Sequence, residues 1–241
     1  MTGELDGQRT LVALGCRVAA ARGLVDGMLG HLSLRVDDHH LLVRCRSESD
    51  TGVANTVPGD IRLIRLDGSA GASGELEGYH VPNELPIHVE TMLADAQHRA
   101  VAHLHPPAVV AADLAGITIR PIYGAYDIPG AWLARGGVPV YQRAVLIRTN
   151  ALGKEMVTAM RGRPVAILRG HGITSAATTV QQAVLQAISL DALARMSLRV
   201  LSAGGTLHDI DDADWEDLPD LGPAFTAEAA WRHEVARLRA D

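Results

Sequence analysis

Three histidines carry the clearest chemical signal in this 241-residue chain. His103 and His105 lie in a largely apolar run that ends at two prolines, and His171 lies between two glycines. Alternation along a strand places His103 and His105 on one face of a sheet. Imidazole binds zinc, manganese, iron and cobalt, and catalytic sites commonly use three protein ligands. The pattern predicts a site for one divalent metal ion, although a histidine pair on a strand can also be two hydrogen-bonded side chains.

A carboxylate precedes this pair in the sequence. Glu84 follows a Pro-Asn turn at the predicted start of a helix, and His88 comes one helical turn later on the same face. Both side chains can therefore point in one direction. The spacing predicts an acid or base beside the metal.

Four segments resemble, in order, the class II aldolase and adducin family, which includes L-fuculose-1-phosphate aldolase. They are 30–35 (Gly-His-Leu-Ser-Leu-Arg), 81–88 with Glu84, 103–105 (His-Leu-His) and 169–172 (Arg-Gly-His-Gly). The resemblance implies that His103, His105 and His171 bind the metal and that Glu84 acts as the acid or base. It also implies an α/β/α sandwich assembled as a homotetramer, with active sites near subunit interfaces.

Two positions depart from the sugar-phosphate aldolases of this family. His31 stands where those enzymes have asparagine, and Pro82-Asn83 replaces a Ser-Ser pair. In the aldolases these asparagine and serine groups donate hydrogen bonds to the substrate phosphate, whereas proline has no N–H to donate. A phosphorylated sugar is therefore disfavoured, and His31 is predicted to face a different substrate.

Arg44 and Arg46 supply cationic groups instead, because alternation puts both on one face of a predicted strand. Two guanidinium groups suit a carboxylate, which they can bind bidentately. The alternative is that both arginines lie on an exposed edge strand and discourage edge pairing. Together with the Gly-His-Leu-Ser and Glu-Leu-Pro-Ile-His segments, these arginines make the chain resemble one branch of the family. That branch decarboxylates hydroxylated aromatic dicarboxylates such as dihydroxyphthalate.

The sequence therefore predicts a metal-dependent carbon–carbon lyase with a small-molecule substrate, most simply a decarboxylase of a hydroxylated aromatic dicarboxylate. Glu84 is the predicted proton donor, assisted by His88 or a tyrosine, and the predicted substrate contacts are His31, Arg44, Arg46 and His88. An aldolase acting on a non-phosphorylated hydroxy-carbonyl compound is the alternative enzyme. The other class of function is a non-catalytic, adducin-like interaction domain. Such a domain is expected to have lost the metal ligands, whereas this chain keeps all three histidines.

A tyrosine is the remaining catalytic candidate, because the resemblance implies a tyrosine acid supplied across a subunit boundary. Tyr123 and Tyr126 lie in the corresponding region, and spacing does not decide between them. Tyr126 is preferred because it precedes Asp127 on a predicted loop. Either tyrosine can instead be an ordinary packing residue.

Composition narrows the class of protein. The net charge of −6 argues against non-specific nucleic-acid binding, and no apolar stretch is long enough to span a membrane. The acidic N-terminal residues do not resemble a signal peptide. Cys16 and Cys45 show no disulfide spacing, which favours reduced thiols in a cytoplasmic enzyme.

Periodicity and turn residues predict a single α/β domain over residues 1–241. The predicted helices are 8–21, 84–96, 106–115, 151–160, 179–203 and 224–240. The predicted strands are 32–36, 41–44, 61–66, 101–105, 117–122, 144–147 and 164–168. Consecutive strands interrupted by helices favour a mostly antiparallel sheet covered by helices.

Overall fold

The computed structural model describes residues 2–219, 221 and 226–238. The strands in this part of the chain are β1 (His31–Arg35), β2 (His40–Arg44), β3 (Arg46–Ser47), β4 (Ile61–Arg65), β5 (Tyr79–His80), β6 (Ala100–Leu104), β7 (Val140–Tyr141), β8 (Val165–Leu168) and β9 (Gly172–Ala177). The α-helices are α1 (Thr2–Ala21), α2 (Leu85–Ala94), α3 (Pro107–Leu114), α4 (Ile128–Ala134), α5 (Asn150–Met160), α6 (Val180–Ser202) and α7 (Trp231–Arg237). None of these helices combines the length and the apolar composition needed to cross a bilayer.

Seven strands form one sheet in the order β4–β2–β1–β6–β9–β8–β7, and β3 pairs with β5 separately. Every neighbouring pair in the large sheet is antiparallel except β7 and β8. The mostly antiparallel sheet predicted from the sequence is therefore confirmed. Its central strand, β6, carries His103 and pairs with β1 on one side and with β9 on the other.

Helices cover both faces of the sheet because successive strand residues point in opposite directions. Leu42 and Leu104 belong to an apolar core that includes α1, α3 and α6. Val43 and Val101 belong to a second core that includes α2 and α5. His103 alternates with Leu104 along β6, so its side chain lies on the face covered by α2 and α5.

The predicted strands 117–122 and 144–147 are wrong. Within 117–122, the Ile117 N–H donates to a carbonyl of α3, and the Ile119 carbonyl accepts a hydrogen bond from the Val138 N–H. These backbone groups therefore bond outside the sheet. The 144–147 segment donates the Ile147 N–H to a side chain, and the strand of this region is β7 instead. Strand β9 and helix α4 were not predicted.

The C-terminal helix has the predicted type over its described part. A π-helical turn, Thr226–Ala230, continues into α7. Positions 224, 225, 239 and 240 of the predicted helix lie outside the described residues. Trp231 and Glu234 of α7 are buried, which attaches this segment to the α1 and α6 side of the sheet.

Candidate metal centre and active site

Glu84, His103, His105 and His171 form a cluster whose potential ligand atoms all lie within 4.8 Å of one another. His103 Nε2 lies 3.0 Å from His105 Nε2. Glu84 Oε2 lies 3.3 Å from His103 Nε2 and 3.4 Å from His171 Nε2. The structure therefore gathers residues from three separate segments around one small volume.

The orientation of His103 is fixed by the neighbouring strand. Its Nδ1 lies 2.9 Å from the carbonyl oxygen of Ile173 on β9, so Nδ1 donates its N–H to that oxygen. A ligand histidine usually holds its second nitrogen in this way, because the bond fixes the tautomer and the ring direction. In the neutral ring this bond leaves the lone pair on Nε2, the nitrogen that faces Glu84 and His105.

Gly172 allows β9 to approach the histidines closely. A Cβ atom at this position would lie 2.3 Å from the Leu104 carbonyl oxygen and 2.6 Å from Cδ2 of His105. Only glycine fits such an approach. Gly170, on the other side of His171, has a φ of +60° in the turn between β8 and β9. The two glycines therefore place His171 in a tight turn against the end of β6.

Glu84 is the residue immediately before α2, and its carboxylate is held at both oxygens. Oε1 accepts a hydrogen bond from the Ile147 N–H at 2.9 Å, while Oε2 faces His103 and His171. Burial raises the pKa of Glu84, but the hydrogen bonds and charges of His103 and His171 outweigh that effect and lower the pKa well below its usual value. The side chain therefore favours the carboxylate form.

His105 favours the neutral form. Burial, together with the nearby His103 and His171, lowers the pKa of His105 to about 3. Neutral imidazole is the form that donates a nitrogen lone pair to a metal. Three imidazoles and one carboxylate match the donor set of a divalent transition-metal site.

A pocket opens next to this cluster. Its lining includes Glu84, His105, His31, Arg44 and Arg46. Pro82 and Asn83, which replace the serine pair of the sugar-phosphate aldolases, also line it, as do the apolar residues Met28, Leu29 and Leu146. The pocket thus combines a metal-binding donor set with two arginines.

The prediction that both arginines lie on one strand is wrong, because Arg44 ends β2 and Arg46 begins β3 in the separate two-stranded sheet. Arg44 is 2% exposed, and its guanidinium donates hydrogen bonds to Asp50 at 2.7 Å and to Thr56 at 2.9 Å. Arg46 is half-buried and forms no ion pair within the described part of the chain. Because β2 pairs with β1 and β4, the edge-strand alternative does not describe Arg44. Sequence patterns did not reveal Asp50 and Thr56 as its partners.

His88 and the tyrosines occupy other places. His88 is fully buried and does not line the pocket; it contacts the pocket residue His31, with 2.6 Å between His31 Nδ1 and His88 Nε2. Burial and the nearby His103 lower the pKa of His88 to about 3. Tyr126 is 73% exposed, and neither it nor Tyr123 lines this pocket. Burial and then Asp127 raise the pKa of Tyr123.

Comparison with known proteins identifies the family. The family model described as Class II Aldolase and Adducin N-terminal domain matches residues 10–198. The chain belongs to this family. The predicted family resemblance is therefore confirmed, and family membership together with the curated relatives makes the chain a lyase.

Named relatives align over nearly the whole chain. A 3,4-dihydroxyphthalate decarboxylase of Rhodococcus jostii (strain RHA1) is 71% identical, covering 97% of this chain and 97% of that protein. A protein of the same name from Terrabacter sp. (strain DBF63) is 57% identical, covering 99% and 100%. The structure of L-fuculose 1-phosphate aldolase from Glaciozyma antarctica PI12 superposes with a TM-score of 0.78 at 20% identity, covering 98% of this chain and 90% of that one. The structural match shows the shared fold.

Proposed function

We propose that this chain is a metal-dependent decarboxylase that acts on 3,4-dihydroxyphthalate. One observation carries the proposal: Glu84 and His105 of the cluster line the same pocket as Arg44 and Arg46. Substrates of this class present adjacent oxygens, which suit a metal, and carboxylates, which suit arginine. The two relatives compared above carry this activity in their names.

His103, His105 and His171 would hold one divalent cation, either zinc, manganese, iron or cobalt. The fit rests on the neutral ring of His105, on the Ile173 carbonyl that orients His103, and on the common volume that the three residues surround. When bound, such a cation acts as a Lewis acid that stabilises negative charge on the substrate oxygens.

The arginines would bind the carboxylate that is retained. Arg46 has no carboxylate partner among the described residues, so its guanidinium is free to bind the substrate. Arg44 already pairs with Asp50, which holds its side chain still and leaves only its remaining N–H groups for a ligand. In this proposal Arg46 contributes most of the binding free energy for the carboxylate, and the immobile Arg44 guanidinium orients that carboxylate in the pocket.

Glu84 would move the proton. As a carboxylate beside the pocket, it accepts the proton of a substrate hydroxyl. The bond between the ring carbon and the departing carboxylate then breaks, carbon dioxide leaves, and the electron pair stays on the ring. Glu84 returns its proton to that ring carbon, and the product oxygen regains a proton from solvent.

The remaining proposals concern assembly and location. We propose a homotetramer in which Tyr126 of one subunit approaches the pocket of another, supported by the 73% exposure of Tyr126 and by the exposed Met28, Leu29 and Leu146 at the pocket. We also propose a cytoplasmic location, because both cysteines are buried and free rather than paired.

The decisive experiment is to measure carbon dioxide release from 3,4-dihydroxyphthalate by purified protein of known metal content. Phthalate without hydroxyl groups is the matched control, because it keeps both carboxylates but cannot supply the hydroxyl proton. Release from the first compound and not from the second is the expected result. Cleavage of a hydroxy-carbonyl compound without any decarboxylation would overturn the proposal in favour of an aldolase.

A further inference from the structure

Three polar side chains form a buried hydrogen-bonded chain behind the pocket. Ser33 Oγ lies 2.6 Å from His88 Nδ1, and His88 Nε2 lies 2.6 Å from His31 Nδ1. Ser33 and His88 are fully buried, whereas His31 lines the pocket. The Ser33–His88–His31 chain therefore leads from the inside of the sheet to the surface that a substrate would contact.

The protons of this chain can be arranged in two directions. In one, Ser33 donates to His88, His88 donates to His31, and His31 keeps its own proton on Nε2. In the other, His31 donates to His88, His88 donates to Ser33, and the Ser33 hydroxyl proton must find a different acceptor. Each direction gives His31 a different chemistry in the pocket: a hydrogen-bond donor in the first and an acceptor in the second.

Ser33 decides between the two directions. Within the described residues, its hydroxyl has no hydrogen-bond partner other than His88 Nδ1. Leaving the proton of a fully buried hydroxyl without an acceptor is unfavourable. Ser33 therefore donates, and both histidines carry their proton on Nε2. The neutral state of His88, whose pKa is lowered to about 3 by burial and by the nearby His103, agrees with one proton per ring.

We infer that the Ser33–His88–His31 chain fixes His31 as a hydrogen-bond donor, so that its Nε2–H binds an anionic oxygen of the substrate. His31 contacts the substrate, while Ser33 and His88 are positioning residues that act through it. A fixed donor next to Arg44 and Arg46 makes the pocket selective for an oxygen that carries negative charge. This inference deepens the proposed function and rests on it for the identity of the substrate.

The tautomer can be measured directly. The full chain is labelled with ¹⁵N-histidine and loaded with zinc, which is diamagnetic, and NMR correlations then distinguish protonated from unprotonated ring nitrogens. Spectra of His31→Gln and His88→Gln assign the two rings. A proton on Nε2 of both rings is the expected result. A proton on Nδ1 of His31 would overturn the inference, and neither result depends on whether the protein decarboxylates anything.

Substitution of Ser33 then tests whether the tautomer matters for the substrate. Ser33→Ala removes the hydroxyl donor, so His88 and His31 should populate both tautomers, and kcat/KM should fall about tenfold at unchanged metal content. Ser175→Ala is the matched control, since Ser175 is an equally buried strand serine that donates to the Ala183 carbonyl instead. The control should leave both the histidine spectra and kcat/KM unchanged.

Two outcomes would count against the positioning role. A Ser33→Ala protein with the original His31 tautomer and reduced activity would assign the loss to packing. A protein with mixed tautomers and full activity would show that the His31 donor does not contribute. If Ser33→Ala fails to fold, the tautomer of the unsubstituted protein still decides the inference.

Discussion

The histidine cluster and the tyrosine segment differ in how their backbones are held. His103 lies on β6, which has hydrogen-bonded strands on both sides, and its ring is fixed by the Ile173 carbonyl. Tyr123 and Tyr126 lie on irregular backbone before α4, and the Tyr123 hydroxyl is buried without a partner among the described residues. The first region is held by hydrogen-bonded strands, while the second contains a buried hydroxyl that no described residue satisfies.

This difference separates two ways of building an active site. A central strand fixes side-chain direction by alternation, so that ligands two residues apart need no further support. An exposed segment is more mobile than a central strand and more often carries residues that bind other molecules. The cluster should therefore respond to single substitutions in each chain, whereas Tyr126 should matter only in the assembled oligomer.

Removal of a cluster histidine should have the largest effect. Replacing His103, His105 or His171 by alanine should reduce bound metal to near background and abolish turnover, because two imidazoles remain for one cation. Metal analysis of the purified variants measures this. His39→Ala, at an exposed hairpin histidine, is the control and should retain full metal content. Full metal content in all three cluster variants would contradict the ligand assignment.

Glu84→Gln should have the next largest effect. Glutamine can still accept the Ile147 N–H bond through its carbonyl oxygen, but it cannot transfer a proton, so turnover should fall by about a hundredfold or more with metal retained. Steady-state kinetics with metal analysis provide the measurement. Glu90→Gln, at another buried carboxylate of α2, should change turnover little. Near-normal turnover of Glu84→Gln would move the proton-transfer role to another group.

Substitution of the two arginines should distinguish an effect on substrate binding from an effect on the stability of the fold. Arg46→Ala should lower kcat/KM by the equivalent of about 1.5–3 kcal/mol, as expected for a lost charge-assisted hydrogen bond, without changing the free energy of unfolding. Arg44→Ala should in addition destabilise the protein by about 3–5 kcal/mol, because it leaves the Asp50 carboxylate without its buried partner.

Kinetics and denaturant titrations of both variants measure the contrast. Arg65→Ala, at an exposed arginine of β4, is the control for loss of positive charge. Equal stability of the Arg44 and Arg46 variants would mean that Asp50 does not hold Arg44. Unchanged kcat/KM in Arg46→Ala would show that Arg46 does not bind a substrate carboxylate.

Local patterns predicted the parts of the molecule that local physics determines. Strands β1, β2 and β6 follow from alternating or apolar runs, and the alternation along β6 places His103 beside His105. The false strand at 117–122 has the same apolar character, but its backbone hydrogen bonds go to a helix end and to a distant loop. A short apolar run does not specify its own hydrogen-bond partners.

Side-chain pairs across the fold were beyond the reach of such patterns. The Arg44–Asp50 pair and the Ser33–His88 contact depend on how loops and helices pack on the sheet, not on spacing along one element. They change the interpretation of residues that the sequence did identify: Arg44 is a fixed, partnered cation, and His88 lies behind His31 rather than in the pocket. Residue types indicated the chemistry, and the packing assigned Arg44 and His88 their positions.

Tyr126→Phe should have the smallest effect of these substitutions. It tests whether Tyr126, unlike the histidine cluster, acts only in the assembled oligomer. If a neighbouring subunit supplies Tyr126, the substitution should lower turnover about tenfold in the oligomer while leaving metal content and stability unchanged. Mixing Tyr126→Phe subunits with Glu84→Gln subunits should then restore part of the activity, because some interfaces combine an intact Glu84 with an intact Tyr126. Tyr123→Phe in the same assay tests the alternative tyrosine. No recovery on mixing, with both variants shown to exchange subunits, would mean that Tyr126 is not supplied to the pocket by a neighbouring subunit.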